Sequence, residues 1–348
     1  MKKHSTRREF LGTTAVLLSG MVVSSNHLFG APAFIRDLKK KRSLINGVQI
    51  GVITYSFRDM QDQSAEATLK YVLDAGVNAI ELMGGPAESF AGAPKNLVDM
   101  RTVFPLMRKR NNKQQLTEEE QTILTAADKE IQAYREVLAK WRLSVPMEKF
   151  EKLRKMYNEA GVQIYAFKPD TFGLKSTEGE IDYGLRAAKI LGANHVTLEH
   201  PGNDAHTLKL GQMAQKHGLR IGYHGHEQQT PTFWDAALSQ SPANALNLDL
   251  GHYIAAGNTD VFTLLQQKHN RIASMHIKDR QTPEQGKKNV VWGQGNTPIK
   301  EVLRLMRDRK YAFPATIEME YQVPPGSTSV AEVKKCLEFC RTVLSQNA

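Results

Sequence analysis

Residues 195–226 read HVTLEHPGNDAHTLKLGQMAQKHGLRIGYHGH, and this stretch sets the pattern for the chain. His195–His200 is a β-rich run, Ala205–His217 carries apolar residues at helical spacing, and Arg220–His226 is β-rich again. Strand, helix and strand in about 30 residues make a βαβ unit. Outward in both directions the alternation continues. The other strand candidates are Val48–Phe57, Asn78–Met83, Val162–Lys168, Ala245–His252, Ile272–Asp279 and Pro314–Tyr321. Helical patterns such as Ala65–Ala75, Ile181–Leu191 and Val330–Leu344 separate them. Eight such units predict an α/β fold, a (β/α)8 TIM barrel. A doubly wound open sheet is the competing arrangement, but no Gly-x-Gly-x-x-Gly opens a helix after the first strand.

The spacing breaks once. Met83 and Val162 are separated by 78 residues, where a barrel unit needs about 30. Gly84-Gly85-Pro86 opens a loop, Leu116-Thr117-Glu118-Glu119-Glu120 is a capped helix start, and a charged helix is expected from there to about Trp141. Pro146 begins the regular helix before the third strand. Residues 87–143 therefore read as a helical insertion on the second βα loop, a lid over the active-site face or a surface decoration.

Of the net charge of +10, residues 1–42 carry +7, from nine Lys/Arg against Glu9 and Asp37. The remaining 306 residues hold about +3, which gives nucleic acid little to bind. Residues 5–11, Ser-Thr-Arg-Arg-Glu-Phe-Leu, precede a mildly apolar stretch from Leu11 to Val23 and the small-residue sequence Ala31-Pro32-Ala33. This is the layout of a twin-arginine signal over residues 1–33, followed by a basic linker over 34–46 and the barrel over 47–348. The expectation is export to the periplasm, or another compartment outside the cytoplasm, with no stable membrane insertion. Two cysteines exclude a disulfide scaffold and a thiolate zinc site.

A barrel does its chemistry at the C-terminal ends of its strands, and here these ends are polar. They carry Glu81, Lys168, Glu199-His200, His224-Gly-His226, Asp249-x-x-His252, His276-x-Lys278-Asp279 and Glu318-x-Glu320. Five of the eleven histidines fall there, a concentration that packing alone does not explain, because each such group must be solvated or paired. Carboxylates with imidazoles and no thiolate suit one divalent ion, Mn, Mg, Co or Zn. Such an ion polarises a sugar carbonyl, and a carboxylate pair can move a proton at the neighbouring carbon.

In this order, the segments Asn247-Leu-Asp249-Leu-Gly-His252, Met275-His276-Ile-Lys278-Asp279 and Ile317-Glu318 resemble those of the xylose isomerase-like barrels, the sugar phosphate isomerases and epimerases. Tyr223-His-Gly-His226 is similar to the Tyr-His-Asn-His of exported members, and Trp292-Gly-Gln-Gly-Asn-Thr-Pro298 to their turn before the last helix. The resemblance spans about residues 48–345. It implies a metal set of Glu199, Asp249, His276 and Glu318, with Glu199 and Glu318 also serving as the acid/base pair. Glu320 is the rival of Glu318. Lys168, His226 and His252 are the implied substrate contacts. Lys278, Trp292 and Glu81 are further candidates from their positions: Trp292 as a ring to stack on a sugar, Glu81 and Lys278 as pocket residues or as members of rim ion pairs. The implied activity is a metal-dependent sugar isomerase or epimerase working through a metal-held enediolate on a small sugar or keto-sugar, in a protein that pairs as a homodimer.

A lyase or hydratase acting on 3-keto-glycosides by β-elimination is the alternative. A non-catalytic sugar-binding barrel and an endonuclease rank below it. Barrel endonucleases carry extra metal-binding histidines where this chain has Glu81 and Lys168. His224 is expected behind the barrel wall, facing away from His226, and Cys336 and Cys340 are expected as buried apolar residues.

Overall fold

The computed structural model describes residues 43–346. Eight parallel strands form a closed barrel: β1 Val48–Ile53, β2 Ala79–Met83, β3 Gln163–Lys168, β4 His195–Glu199, β5 Arg220–His224, β6 Asn244–Asp249, β7 Ile272–Ile277 and β8 Ala315–Ile317. Each strand pairs with its sequence neighbours, and β1 pairs with β8 to close the ring. The expected strands are all present. Six end early: β1 gives way to a 3-10 turn at Thr54–Phe57, β4 stops at Glu199 and β7 at Ile277, His226 lies beyond β5, His252 lies in a short helix after β6, and the chain leaves β8 just before Glu318.

The helices lie outside the ring: α1 Ala65–Asp74, α2 Gly84–Phe90, α3 Met100–Asn111, α4 Glu118–Ser144, α5 Glu148–Glu159, α6 Glu178–Leu191, α7 Asp204–His217, α8 Asp235–Gln240, α9 Leu250–Ala255, α10 Val261–Lys268, α11 Ile299–Arg309 and α12 Ser329–Ser345. Their apolar residues recur at helical spacing, as Ile299, Val302, Leu303 and Met306 do in α11, and those faces cover the barrel. Each such side chain removed from water contributes about 1.5–3 kcal/mol. Gly192 and Gly218 end α6 and α7 in the left-handed conformation that glycine adopts at no steric cost, turning the chain into the next strand. No helix among the described residues is long and apolar enough to cross a membrane.

The twin-arginine segment and most of the basic linker lie outside the described residues. The linker's last residues are part of the fold. Leu44–Ile45 pairs antiparallel with the start of β1, and Ser43 Oγ donates to Ile50 O at 2.6 Å.

The loop expected at Gly84-Gly85-Pro86 is instead the first turn of α2, which leads directly from β2 into the insertion, and the insertion holds α3 in addition to the expected charged helix, α4. Thr117 and Glu120 cap α4 reciprocally, as their spacing predicts. Val103, Leu124, Ala127 and Ile131 form a small core of its own. A buried ion pair ties it down: Arg142 Nε and Nη2 donate to Glu88 Oε1 and Oε2 at 2.8 and 3.1 Å, and Tyr183 Oη donates to Glu88 Oε1 at 3.1 Å. Cys336 and Cys340 are free and buried, as expected.

Candidate metal centre at the barrel mouth

The barrel interior carries polar side chains in register, and these position the mouth. His195 Nε2 meets Ser274 Oγ at 2.9 Å, Asn247 Nδ2 donates to the same Ser274 Oγ at 2.7 Å, and His224 Nδ1 donates to Asn247 Oδ1 at 2.7 Å. The asparagine oxygen can only accept, so Nδ1 of His224 carries the proton. Its Nε2 lone pair is left facing Asp249 Oδ2, 3.9 Å away. Burial, with the charges of Lys168 and His276, pushes the His224 imidazole down to about 3, so it is neutral.

Asp249 closes β6 and starts α9. Its Oδ1 accepts from His252 N at 2.7 Å, capping the helix, which accounts for the Asp-x-x-His spacing. Its Oδ2 is buried and meets the Lys278 ammonium at 2.9 Å. A buried carboxylate oxygen costs free energy unless a cation meets it.

His276 is fully enclosed. Its Nδ1 reaches Glu318 Oε2 at 2.8 Å and its Nε2 reaches Glu81 Oε2 at 2.8 Å. Burial opposes a charge here, but the two carboxylates outweigh it and hold the imidazole protonated up to about 10. Burial likewise pushes the Glu81 carboxyl up, and His276 outweighs it, leaving the group at about 2. Glu81 also accepts from Thr197 Oγ1 at 2.5 Å.

Lys278 brings its ammonium into the same chamber. Nζ lies 2.9 Å from Asp249 Oδ2, 2.7 Å from Glu318 Oε2 and 2.6 Å from Glu320 Oε2. Burial disfavours its charge, and the three carboxylates more than restore it. Gly251 makes this possible, since a Cβ there would stand 2.3 Å from Lys278 Cγ.

His224, Asp249, His276 and Glu318 each present one donor atom, all within 4.8 Å of one another. A divalent ion with bonds of about 2.1 Å needs donors roughly 3–4 Å apart, so a small contraction completes the set. The fixed tautomer of His224 fits a cation, which would take the place of the Lys278 ammonium on Asp249 and of the Nδ1 proton on His276. Glu81 fits the role of the carboxylate that orients a ligating histidine through its other nitrogen.

His224 also lies within the same distance of His226 and His252. That triad fits a cation poorly. Arg280 Nη1 donates to His252 Nδ1, so Nε2 of His252 carries the proton and offers no lone pair. The imidazoles of His226 and His252 stack with centroids 4.5 Å apart.

Glu199 stands at the solvent edge, where its oxygens meet Lys168 Nζ at 2.9 Å and His226 Nε2 at 3.2 Å. Burial pushes its carboxyl up, but His224, Lys168 and His226 lower it to about 2.

Three of the four expected ligands, Asp249, His276 and Glu318, converge. Glu199 sits with Lys168 and His226 instead, and the fourth donor of the group is His224. The expectation that His224 lies behind the wall is overturned. Residues two apart on a strand share a face, and its ring lies 5.0 Å from that of His226 and 4.9 Å from that of His276. Glu81 and Lys278 are buried against the centre. Glu320 holds Lys278. Trp292 packs edge-on to Phe339 of α12 at 5.7 Å. Its loop is braced by Asp279, whose carboxylate accepts from the backbone N–H of Gly293, Gly295 and Thr297 at 2.7, 2.9 and 3.2 Å.

A family model described as xylose isomerase-like TIM barrel matches residues 129–342. No curated protein sequence matches the chain. Among solved structures, a sugar phosphate isomerase/epimerase from Parabacteroides distasonis is 14% identical, with 93% of this chain and 100% of that one covered and a TM-score of 0.55. A probable 3-DHS dehydratase from Bacillus anthracis is 15% identical, covering 86% and 99%, with a TM-score of 0.54. A D-psicose 3-epimerase, solved in the presence of D-fructose, is 12% identical, covering 85% and 99%, with a TM-score of 0.53. At these identities the likeness is one of fold.

Proposed function

The chain belongs to the xylose isomerase-like TIM barrel family, and from that premise we propose that it is a divalent-metal-dependent isomerase or epimerase of sugars. The observation that carries the reading is the convergence of His224, Asp249, His276 and Glu318 from the ends of four successive strands, β5 to β8. Bound there, a divalent ion supplies Lewis acidity toward the carbonyl and hydroxyl oxygens of a sugar.

The protein's own groups do the rest. Asn247 holds His224 in one tautomer, and Glu81 holds His276 in one orientation. Lys278 is drawn to Glu320 when Asp249 and Glu318 take a cation, so an ammonium stays in the chamber wall. Glu199, ionised beside Lys168 and His226, accepts a proton from the carbon next to the carbonyl, and Glu318 is its partner across the acid/base step. Returning the proton to the opposite face gives epimerisation, and returning it to the adjacent carbon gives isomerisation.

A second reading, β-elimination from a keto-sugar, is favoured by one observation. Arg280 fixes His252 as an Nε2–H donor stacked on His226, an imidazole placed to protonate a departing oxygen. The twin-arginine signal expected at residues 1–33 would deliver the enzyme to the periplasm, where free sugars and glycosides are met rather than cytosolic phosphosugars.

Proton NMR of the magnesium- or zinc-loaded protein in deuterated water, with a panel of ketoses, aldoses and 3-keto-glycosides, tests the proposal. Loss of one carbon-bound proton signal is expected, and the product spectrum separates epimer, isomer and enone. With metal bound and no exchange in any member, the isomerase reading fails.

A further inference from the structure

A cavity of about 680 Å³ opens at the ends of β1 and β2. Tyr55, Arg58 and Met83 line it on the barrel side, and Lys95, Asn96 and Tyr134 on the side of the insertion. Two of its lining residues are linked to segments of the metal centre. Met83 follows Glu81 by two residues on β2, and Arg58 Nη1 donates at 2.8 Å to the carbonyl of Met319, between Glu318 and Glu320.

The lining has the character of a sugar site. Two phenol rings offer apolar faces for ring C–H groups, and neither hydroxyl takes part in a hydrogen bond among the described residues. The Arg58 guanidinium lies 4.8 Å from the centroid of Tyr55. The volume falls in the range of about 300–1,000 Å³ typical of small-molecule sites. The far wall is built rather than loose: Glu88, itself in the lining, is clamped by Arg142 two turns after Tyr134 on α4.

We propose that this cavity is a subsite for the second ring of a glycoside, so that the substrate is disaccharide-sized and the insertion is the part of the barrel that selects it. The inference rests on the sugar-converting reading above. One ring occupies the centre between Glu199 and Glu318, and the second lies between Tyr55 and Tyr134.

Saturation-transfer NMR and calorimetry with maltose, cellobiose and trehalose, set against glucose and fructose, test this on the metal-loaded full chain. At least one disaccharide is expected to bind more tightly than either monosaccharide, with transfer to both rings. Tyr134→Ala is expected to weaken that disaccharide about five- to tenfold while fructose and glucose stay within about twofold. Tyr55→Ala, at a residue 40% exposed, repeats the test from the barrel wall should the α4 variant fail to fold. Equal losses for one ring and two, no loss in either variant, or no disaccharide preference in the parent protein would overturn the subsite. Disaccharide binding that responds to both variants, without carbon-proton exchange in any sugar, would keep the subsite and sink the isomerase reading.

Discussion

Lys278 Nζ lies 2.7 Å from Glu318 Oε2, the same oxygen that His276 Nδ1 reaches at 2.8 Å. One carboxylate oxygen thus answers to two cationic groups, and the ammonium also contacts Asp249 Oδ2 at 2.9 Å. A divalent ion taken up by Asp249 and Glu318 would have to displace that ammonium. Lys278 neutralises both carboxylates and would compete with such an ion.

Lys278→Met is expected to tighten divalent-ion binding at least tenfold. It should also destabilise the EDTA-treated protein by about 3–5 kcal/mol, because the buried Asp249 and Glu318 and the half-buried Glu320 lose their counter-charge. Thermal unfolding with EDTA and with saturating Mn²⁺ measures both effects. A metal-induced rise in Tm equal to that of the parent would show that the ammonium and the ion do not share a place.

The tautomer of His224 is set from behind by Asn247. Asn247→Leu is expected to weaken metal affinity by about 10–100-fold, the usual cost of losing an orienting partner, with His224 itself intact. His224→Ala should go further and lower metal content at stoichiometric loading. Metal analysis after dialysis reads both. Full occupancy in the His224 variant would exclude it as a ligand and return the fourth place to Glu199.

Glu199 is assigned a proton, not the ion. Glu199→Gln is expected to cut carbon-proton exchange by about 10²–10⁴-fold while metal content and Tm hold. Exchange that persists at the parental rate would end the acid/base assignment, and loss of metal would make Glu199 a ligand.

Acid should weaken the barrel through His195. Burial holds its imidazole down at about 3 in the fold, against an ordinary value near 6.5. The unfolded chain takes up a proton below about 6.5 and the folded one does not until about 3. Unfolding therefore becomes easier as pH falls through that window, by up to about 1.4 kcal/mol per unit. His195→Gln is expected to flatten the decline between pH 6 and 4, measured as denaturant midpoints. A slope identical to the parent's would place the acid sensitivity elsewhere.

Strand alternation made the barrel legible, because eight β-rich runs with helical spacers leave few other ways to bury their apolar faces. The Asp249-x-x-His252 spacing was legible too, though as a ligand motif; its capping geometry, which starts α9 and ends β6, was not drawn from it. The choice between Glu199 and His224 was not legible. They are register partners across β4 and β5, so they stand at the same height, and sequence ranks neither above the other. Neighbours separate them in space: Asn247 and His276 flank His224, while Lys168 and His226 hold Glu199 at the edge. The role of Glu81 behind His276 joins β2 to β7 across the barrel, a pairing no local pattern encodes.

Asp249 divides its two oxygens between α9 and the metal centre. Any pull on Oδ2 is delivered through the same rigid carboxylate to the first turn of α9, which carries His252 at the rim. The carboxylate works as a rocker: loading one arm tilts the other. Occupancy at the bottom of the chamber would thereby reach the imidazole of His252 at the rim, with no moving loop between them.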